Sequence, residues 1–102
     1  MKAVLIRKHG GLEALEIADL PKPKADVGQV LLRVKAAGVN HLDTWVRRGM
    51  PGVTLPLPMI LGSDAAGVIE EVGPGVLGLK PGDRVFVSAG YSCMRCVECC
   101  SG

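Results

Sequence analysis

Aromatic side chains are scarce: one Trp, one Tyr and one Phe make up 3% of 102 residues. A core must therefore be built from Val, Leu, Ile and Ala, which share in a hydrophobic fraction of 48%. Long apolar runs are absent too. Only four apolar residues separate Lys2 from Arg7-Lys8-His9, so no secretory leader is read there. No run approaches the ~20 residues of a membrane span. Charge of one sign is also lacking. Twelve basic against ten acidic residues leave a net charge of +2, which gives no case for a nucleic-acid or anionic-membrane partner. The expected setting is cytoplasmic, with reduced thiols, where clustered cysteines suggest metal more than disulfides.

What the chain does have is glycine and proline, 14 and 7 of them. Such punctuation favours short strands over long helices. Met1 to Arg7, Leu15 to Ile17, Val30 to Ala37, Ala65 to Val72 and Asp83 to Ser88 are the expected strands. In the third, Val30, Leu32 and Val34 should share one face, with Arg33 and Lys35 on the other. Asn40 to Arg48 breaks the period and is the one helix expected. Asn40 is its cap, and Asp43 lies near its positive end. Leu42, Trp45 and Val46 are spaced to form its apolar face, and Gly49 is placed to end it as a left-handed cap. Pro51 to Pro58 is read as a loop, and Gly73 to Gly82 as turns. The pattern as a whole is mainly β: a partly open β-barrel with one short helix.

Three groups of residues can carry chemistry. All four cysteines lie between Cys93 and Cys100. Cys93, Cys96 and Cys99 in C-x-x-C-x-x-C spacing supply three thiolates for a tetrahedral zinc. A fourth ligand is expected beyond Gly102, with Cys100 as the fallback; incidental thiols are the alternative. The six residues Gly73 to Gly78 spell G-x-G-x-x-G, but Lys80-Pro81-Gly82 follows where a dinucleotide fold needs a helix, so turns are expected there. Asn40, His41 and Asp43 can line a cleft, or Asn40 and Asp43 can serve only as helix caps with His41 exposed. Gly62-Ser63-Asp64 is either a plain turn or a second edge of that cleft. His9, beside Gly10-Gly11, is expected to be a solvated turn residue.

Taken together these segments resemble the medium-chain dehydrogenase/reductase superfamily, specifically its amino-terminal GroES-like domain. Gly28-Gln29-Val30-Leu31-Leu32-Arg33-Val34 is similar to that family's G-E-V-L-V-R-V strand. Residues 62–67, then Gly73 and Val76, follow the frame of its G-H-E-x2-G-x5-G-x2-V signature. Lys80 to Val85 is similar to its K-x-G-D-R-V turn. Cys93, Cys96 and Cys99 fit the first ligands of its structural-zinc lobe, here beginning at residue 90. The resemblance implies that residues 1–102 are a GroES-like catalytic domain, without the nucleotide-binding Rossmann domain.

The departures matter. Zinc alcohol dehydrogenases have a cysteine at the position of Asn40 and a histidine at that of Ser63, two ligands of the catalytic zinc. Leu42 and Trp45 stand where their proton relay would be. The N-x-x-D of Asn40 and Asp43, and the G-S-D of Gly62 to Asp64, instead resemble the quinone-reductase branch. That branch implies hydride transfer from NADPH or NADH to a quinone or activated alkene without catalytic zinc. It implies Asn40 and Asp43 as catalytic residues, Trp45, Ser63 and Asp64 in the substrate pocket, and His41 toward the cofactor pyrophosphate. A zinc-dependent alcohol dehydrogenase with atypical ligands, acting on an alcohol or aldehyde, is the alternative. A non-catalytic GroES-like binding module is the alternative from another class. The full-length enzyme is expected to be a homo-oligomer, and the 102 residues alone to be inactive.

Overall fold

The order of elements in the computed structural model is set by where the glycines and prolines interrupt the apolar segments. The structure describes residues 1–88, 90 and 95–101. Strands β1 (Lys2–Ile6), β2 (Leu15–Asp19) and β3 (Val30–Ala37) precede helix α1 (His41–Arg48), and strands β4 (Met59–Ile60), β5 (Ala65–Val72) and β6 (Arg84–Phe86) precede helix α2 (Val97–Ser101). A 3-10 turn, Leu12–Ala14, joins β1 to β2. Two three-stranded antiparallel sheets result, in the orders β2-β1-β4 and β3-β5-β6. Among the described residues no helix is long and apolar enough to cross a membrane.

The bounds of β3 and β5 are those expected, but the faces of β3 are not. Its pairing with β5 shifts register between Leu31 and Leu32 and again between Val34 and Ala36. Glu70 is thus an extra residue in β5 and Lys35 an extra residue in β3, and each bulge interrupts the period-two alternation. Val34, expected inside, is 53% exposed. Glu70 Oε1 accepts from both Arg33 Nη2 (2.8 Å) and Lys22 Nζ (3.0 Å), tying the irregular segment after β2 to the second sheet.

Helix α1 also departs from expectation. Leu42 and Trp45 are 44% and 55% exposed, and the buried residue is Arg47. The cause is how the helix docks. Gly10 N–H donates to the Arg47 carbonyl (3.0 Å), and His9 Nδ1 lies 2.9 Å from the Val46 carbonyl oxygen. That oxygen only accepts, so His9 carries its proton on Nδ1. His9 is therefore a half-buried clamp on the helix end rather than a solvated turn residue. Gly49 ends α1 with φ +91° and ψ 135°, which is not the left-handed cap expected, though still a glycine conformation.

Residues 73–82 form turns, as expected, and open no helix. The cysteine segment contains α2, a second helix not foreseen. Among the described residues the fully buried large side chains are few: Leu5 and Ile6 on β1 and Ile69 on β5. The accessible surface is 7909 Å², against roughly 5,500 Å² for a compact monomer of this mass. The two sheets thus stand open around a cleft rather than closing on one core.

Candidate functional site

The β3–β5 register builds the site. Ala37 pairs with Ala65 at the last rung, so the residues leaving β3 lie beside those entering β5. Gly38 N–H donates to the Asp64 carbonyl (3.2 Å). A Cβ on Gly38 would sit 3.4 Å from the Asp64 Cβ, so the two segments run in van der Waals contact. Two residues on, the Asn40 side chain reaches Asp64, with Nδ2 2.6 Å from Oδ2. A carboxylate only accepts, so the amide nitrogen faces Asp64. One of its two N–H groups is used there, and the other has no partner among the described residues.

Asn40 also begins α1, in extended conformation (φ −119°, ψ 161°). Its backbone N–H donates to Asp43 Oδ2 (2.8 Å), and its carbonyl accepts from the Asp43 N–H (3.0 Å). Asp43 therefore supports the helix start, next to the positive end of the peptide dipoles. Asn40 and Asp43 form a capping box at the helix start, while the Asn40 amide nitrogen is directed to Asp64.

These residues border a cavity of about 620 Å³ between the sheets. Its walls are apolar where Val4, Leu15, Val34, Val39 and Leu61 contribute, and polar where Asp43, Thr44, Arg47, Ser63 and Asp64 do. Ser63 and Asp64 thus form a cleft edge rather than a plain turn. Asn40 is not itself a lining residue but is bonded to two that are. Trp45 and His41 do not line the cavity, and both are exposed. Arg47 and Thr44 are site residues that sequence reasoning missed. The only available signal was that Arg47 stands four positions after Asp43, on the same helical face.

Among the described residues no thiol or imidazole lines the cleft, and no three His, Cys, Asp or Glu side chains are grouped to hold a metal. An amide, hydroxyls and two carboxylates do not fit a tetrahedral zinc with sulfur and nitrogen ligands. The thiol cluster is different chemistry. Cys93 lies outside the described residues. Cys99 N–H donates to Cys96 Sγ (3.3 Å) at the start of α2, and Cys100 follows on that helix. Four thiols within one short segment suit a thiophilic divalent ion.

Two small antiparallel sheets, two short helices and a cleft at the β3–β5 end are the architecture of a GroES-like domain. Residues 26–102 match the family described as the alcohol dehydrogenase GroES-like domain, and the chain belongs to that family, within the medium-chain dehydrogenase/reductase superfamily. It is 45% identical over 103 residues to an alcohol dehydrogenase of Geobacillus stearothermophilus, covering 100% of this chain and 30% of that one. A quinone oxidoreductase of Rattus norvegicus is 43% identical over 97 residues, covering 90% and 30%. The crystal structure of an NAD-dependent alcohol dehydrogenase superposes with a TM-score of 0.90 at 51% identity, covering 99% of this chain and 29% of that one. The chain spans about 30% of the length of the first two relatives.

Proposed function

We propose that this domain belongs to an oxidoreductase that reduces a quinone or other conjugated acceptor with a nicotinamide cofactor and without catalytic zinc. The observation that carries this reading is the Asn40–Asp64 bond. The position that would need to bind a metal through sulfur is an amide held at 2.6 Å by a carboxylate. The cavity suits a nicotinamide ring with a small acceptor: its volume of about 620 Å³ is in the usual range for such sites, with apolar walls and few polar groups. Residues 73–78 do not fit a dinucleotide, because no helix follows them. We assign the nucleotide portion to a domain outside these 102 residues, with His41, exposed on the first turn of α1, toward the pyrophosphate.

When bound, the reduced nicotinamide supplies the hydride. The protein's part is placement and charge. Asp64 fixes the Asn40 amide, leaving its second N–H for the acceptor oxygen as negative charge develops there. Asp43 holds Asn40 through the backbone. Ser63 offers a hydroxyl to the same pocket. A neutral amide polarises an oxygen less than a metal ion does. That suits an acceptor already activated by conjugation better than a plain alcohol.

The test is Asn40→Ala in the enzyme that carries this domain. Turnover with a quinone or conjugated enone should fall tenfold or more, about 1.4 kcal/mol. Unchanged turnover would remove Asn40 from the reaction. Metal analysis separates the rival alcohol-dehydrogenase reading, since a catalytic ion in addition to the thiol-bound one would give two zinc ions per chain instead of one.

A further inference from the structure

We propose that the outer face of the β3-β5-β6 sheet carries a binding site apart from the cleft, built on Lys35, Arg84 and Phe86, that takes a nucleoside monophosphate. Strand pairing sets which side chains share that face. Arg33, Val68 and Arg84 lie on one rung, and Ala36, Ala66 and Phe86 lie two rungs on. Residues paired directly across strands point to the same side of a sheet. The rung between them, Val34, Gly67 and Val85, points the other way, and Val34 lines the cleft. The sheet itself therefore separates this face from the cleft. A hollow of about 370 Å³ on it is lined by the short side chains of Ala66 and Val68 and the long ones of Lys35, Arg84 and Phe86. Lys35 joins them as the extra residue of the β3 bulge.

The ligand class follows from charge, ring and spacing. Lys35 and Arg84 form no hydrogen bond or ion pair among the described residues, and no acid among them lines the hollow. Glu70, on the same face, is taken by Arg33 and Lys22, and Asp83, next to Arg84 in the chain, by Lys80. Two uncompensated cations on one hollow draw anions to it. Their charge balances a phosphomonoester, which is close to a dianion at neutral pH. The guanidinium of Arg84 adds a planar fork of donors suited to phosphate oxygens. Phe86, the one phenylalanine of the chain, is 81% exposed beside them. A ring of this kind is a platform on which a nucleobase stacks. Arg84 and Phe86 are two residues apart along one strand face, about 6.7 Å. Phosphate and ring must therefore be held apart by a spacer, which a ribose supplies and an aryl phosphate lacks. This site does not rest on the proposed reaction, so either reading can fail alone.

The experiment titrates the 102-residue chain at neutral pH with adenosine 5′-monophosphate, adenosine, ribose 5-phosphate and phosphotyrosine. The cofactor's nucleotide portion is assigned outside these residues, so binding here reads this face. Calorimetry gives affinity, and NMR follows the Phe86 ring and the Arg84 Nε–H. The nucleotide should bind saturably, at least about tenfold tighter than adenosine or ribose 5-phosphate. It should shift both resonances and bind more weakly as salt is raised. Arg84→Gln should remove its advantage over adenosine, and Phe86→Leu its advantage over ribose 5-phosphate. Both side chains are exposed, so neither change disturbs the core, and the ligand comparison on the unaltered chain decides in any case. Absence of binding, a nucleotide no tighter than adenosine or than ribose 5-phosphate, shifts confined to the cleft, or phosphotyrosine binding tighter than the nucleotide would overturn the proposal.

Discussion

Gly67→Ala is the substitution whose cost can be worked most directly from the structure. Gly67 sits in the middle of β5, paired with Val34 on one side and Val85 on the other. A Cβ there would lie 2.9 Å from the Arg33 carbonyl carbon and 3.1 Å from the Val34 Cα, and closer still to the Arg33 carbonyl oxygen. All three obstacles are backbone, so no rotamer change relieves them, and carbon contacts normally settle near 3.5–4.0 Å. Strand β3 would have to retreat from β5 by roughly half an ångström or more. Overpacking of this kind costs about 1–3 kcal/mol, against a gain of roughly 0.4–1 kcal/mol from a less flexible unfolded chain. A net loss near 1–2 kcal/mol corresponds to a fall in Tm of about 4–16 °C for a domain of this size. Thermal denaturation followed by circular dichroism measures it. Gly90→Ala is the matched control, because a Cβ there meets nothing within 4 Å. The same retreat should loosen the Asn40–Asp64 bond, which depends on the β3–β5 register. A Tm for Gly67→Ala equal to that of Gly90→Ala would refute the reasoning.

Glu70 gives a pH prediction. Hydrogen bonds from Arg33 and Lys22 hold its carboxyl below the ordinary value of 4.5. A lowered folded pKa means its stabilisation is present above the unfolded pKa and is lost as pH falls through the folded one. The stability gap between the unaltered chain and Glu70→Gln, measured by urea unfolding, should therefore be open at pH 6 and close as pH drops below 4.5. His9→Ala removes the contact to the Val46 carbonyl, so amide exchange at the C-terminal end of α1 should quicken while β5 is unaffected. In the enzyme carrying this domain, Cys96→Ser should lower the zinc content measured by mass spectrometry. Retention of the ion would place it elsewhere.

Much of the framework is readable because it is local. Strands β3 and β5 and helix α1 announce themselves through composition, period and flanking glycines, and their observed bounds lie within a residue of expectation. What could not be read depends on partners distant in sequence. The bulges at Lys35 and Glu70 exist only in the pairing of two strands, so the faces of β3 were assigned by an alternation the sheet does not keep. The apolar trio Leu42, Trp45 and Val46 pointed to one buried helical face. The helix instead docks by its end against Gly10 and His9, which turns Arg47 inward. Strand β4, only two residues long, carries no periodic signal at all. Within the site, Asn40 was recognised with two open roles, cap or cleft residue. It takes both, and the second depended on Asp64, 24 positions away.

The glycine string at residues 73–78 has its own lesson. Gly73 donates its N–H to the Gln29 carbonyl (2.8 Å), and Gly28 donates to the Pro74 carbonyl (2.8 Å). Any side chain on Gly73 would strike the Asp26 carbonyl, while Gly75 and Gly78 have φ of +82° and +78°. Of the glycines that spell a nucleotide-binding word, Gly73 is thus required for seaming two loops together, and Gly75 and Gly78 take a backbone hand that favours glycine. A pattern search sees spacing, but the backbone here sees clearance and handedness, and substitutions in this string should unravel a corner of the sheet without touching any affinity for nucleotides.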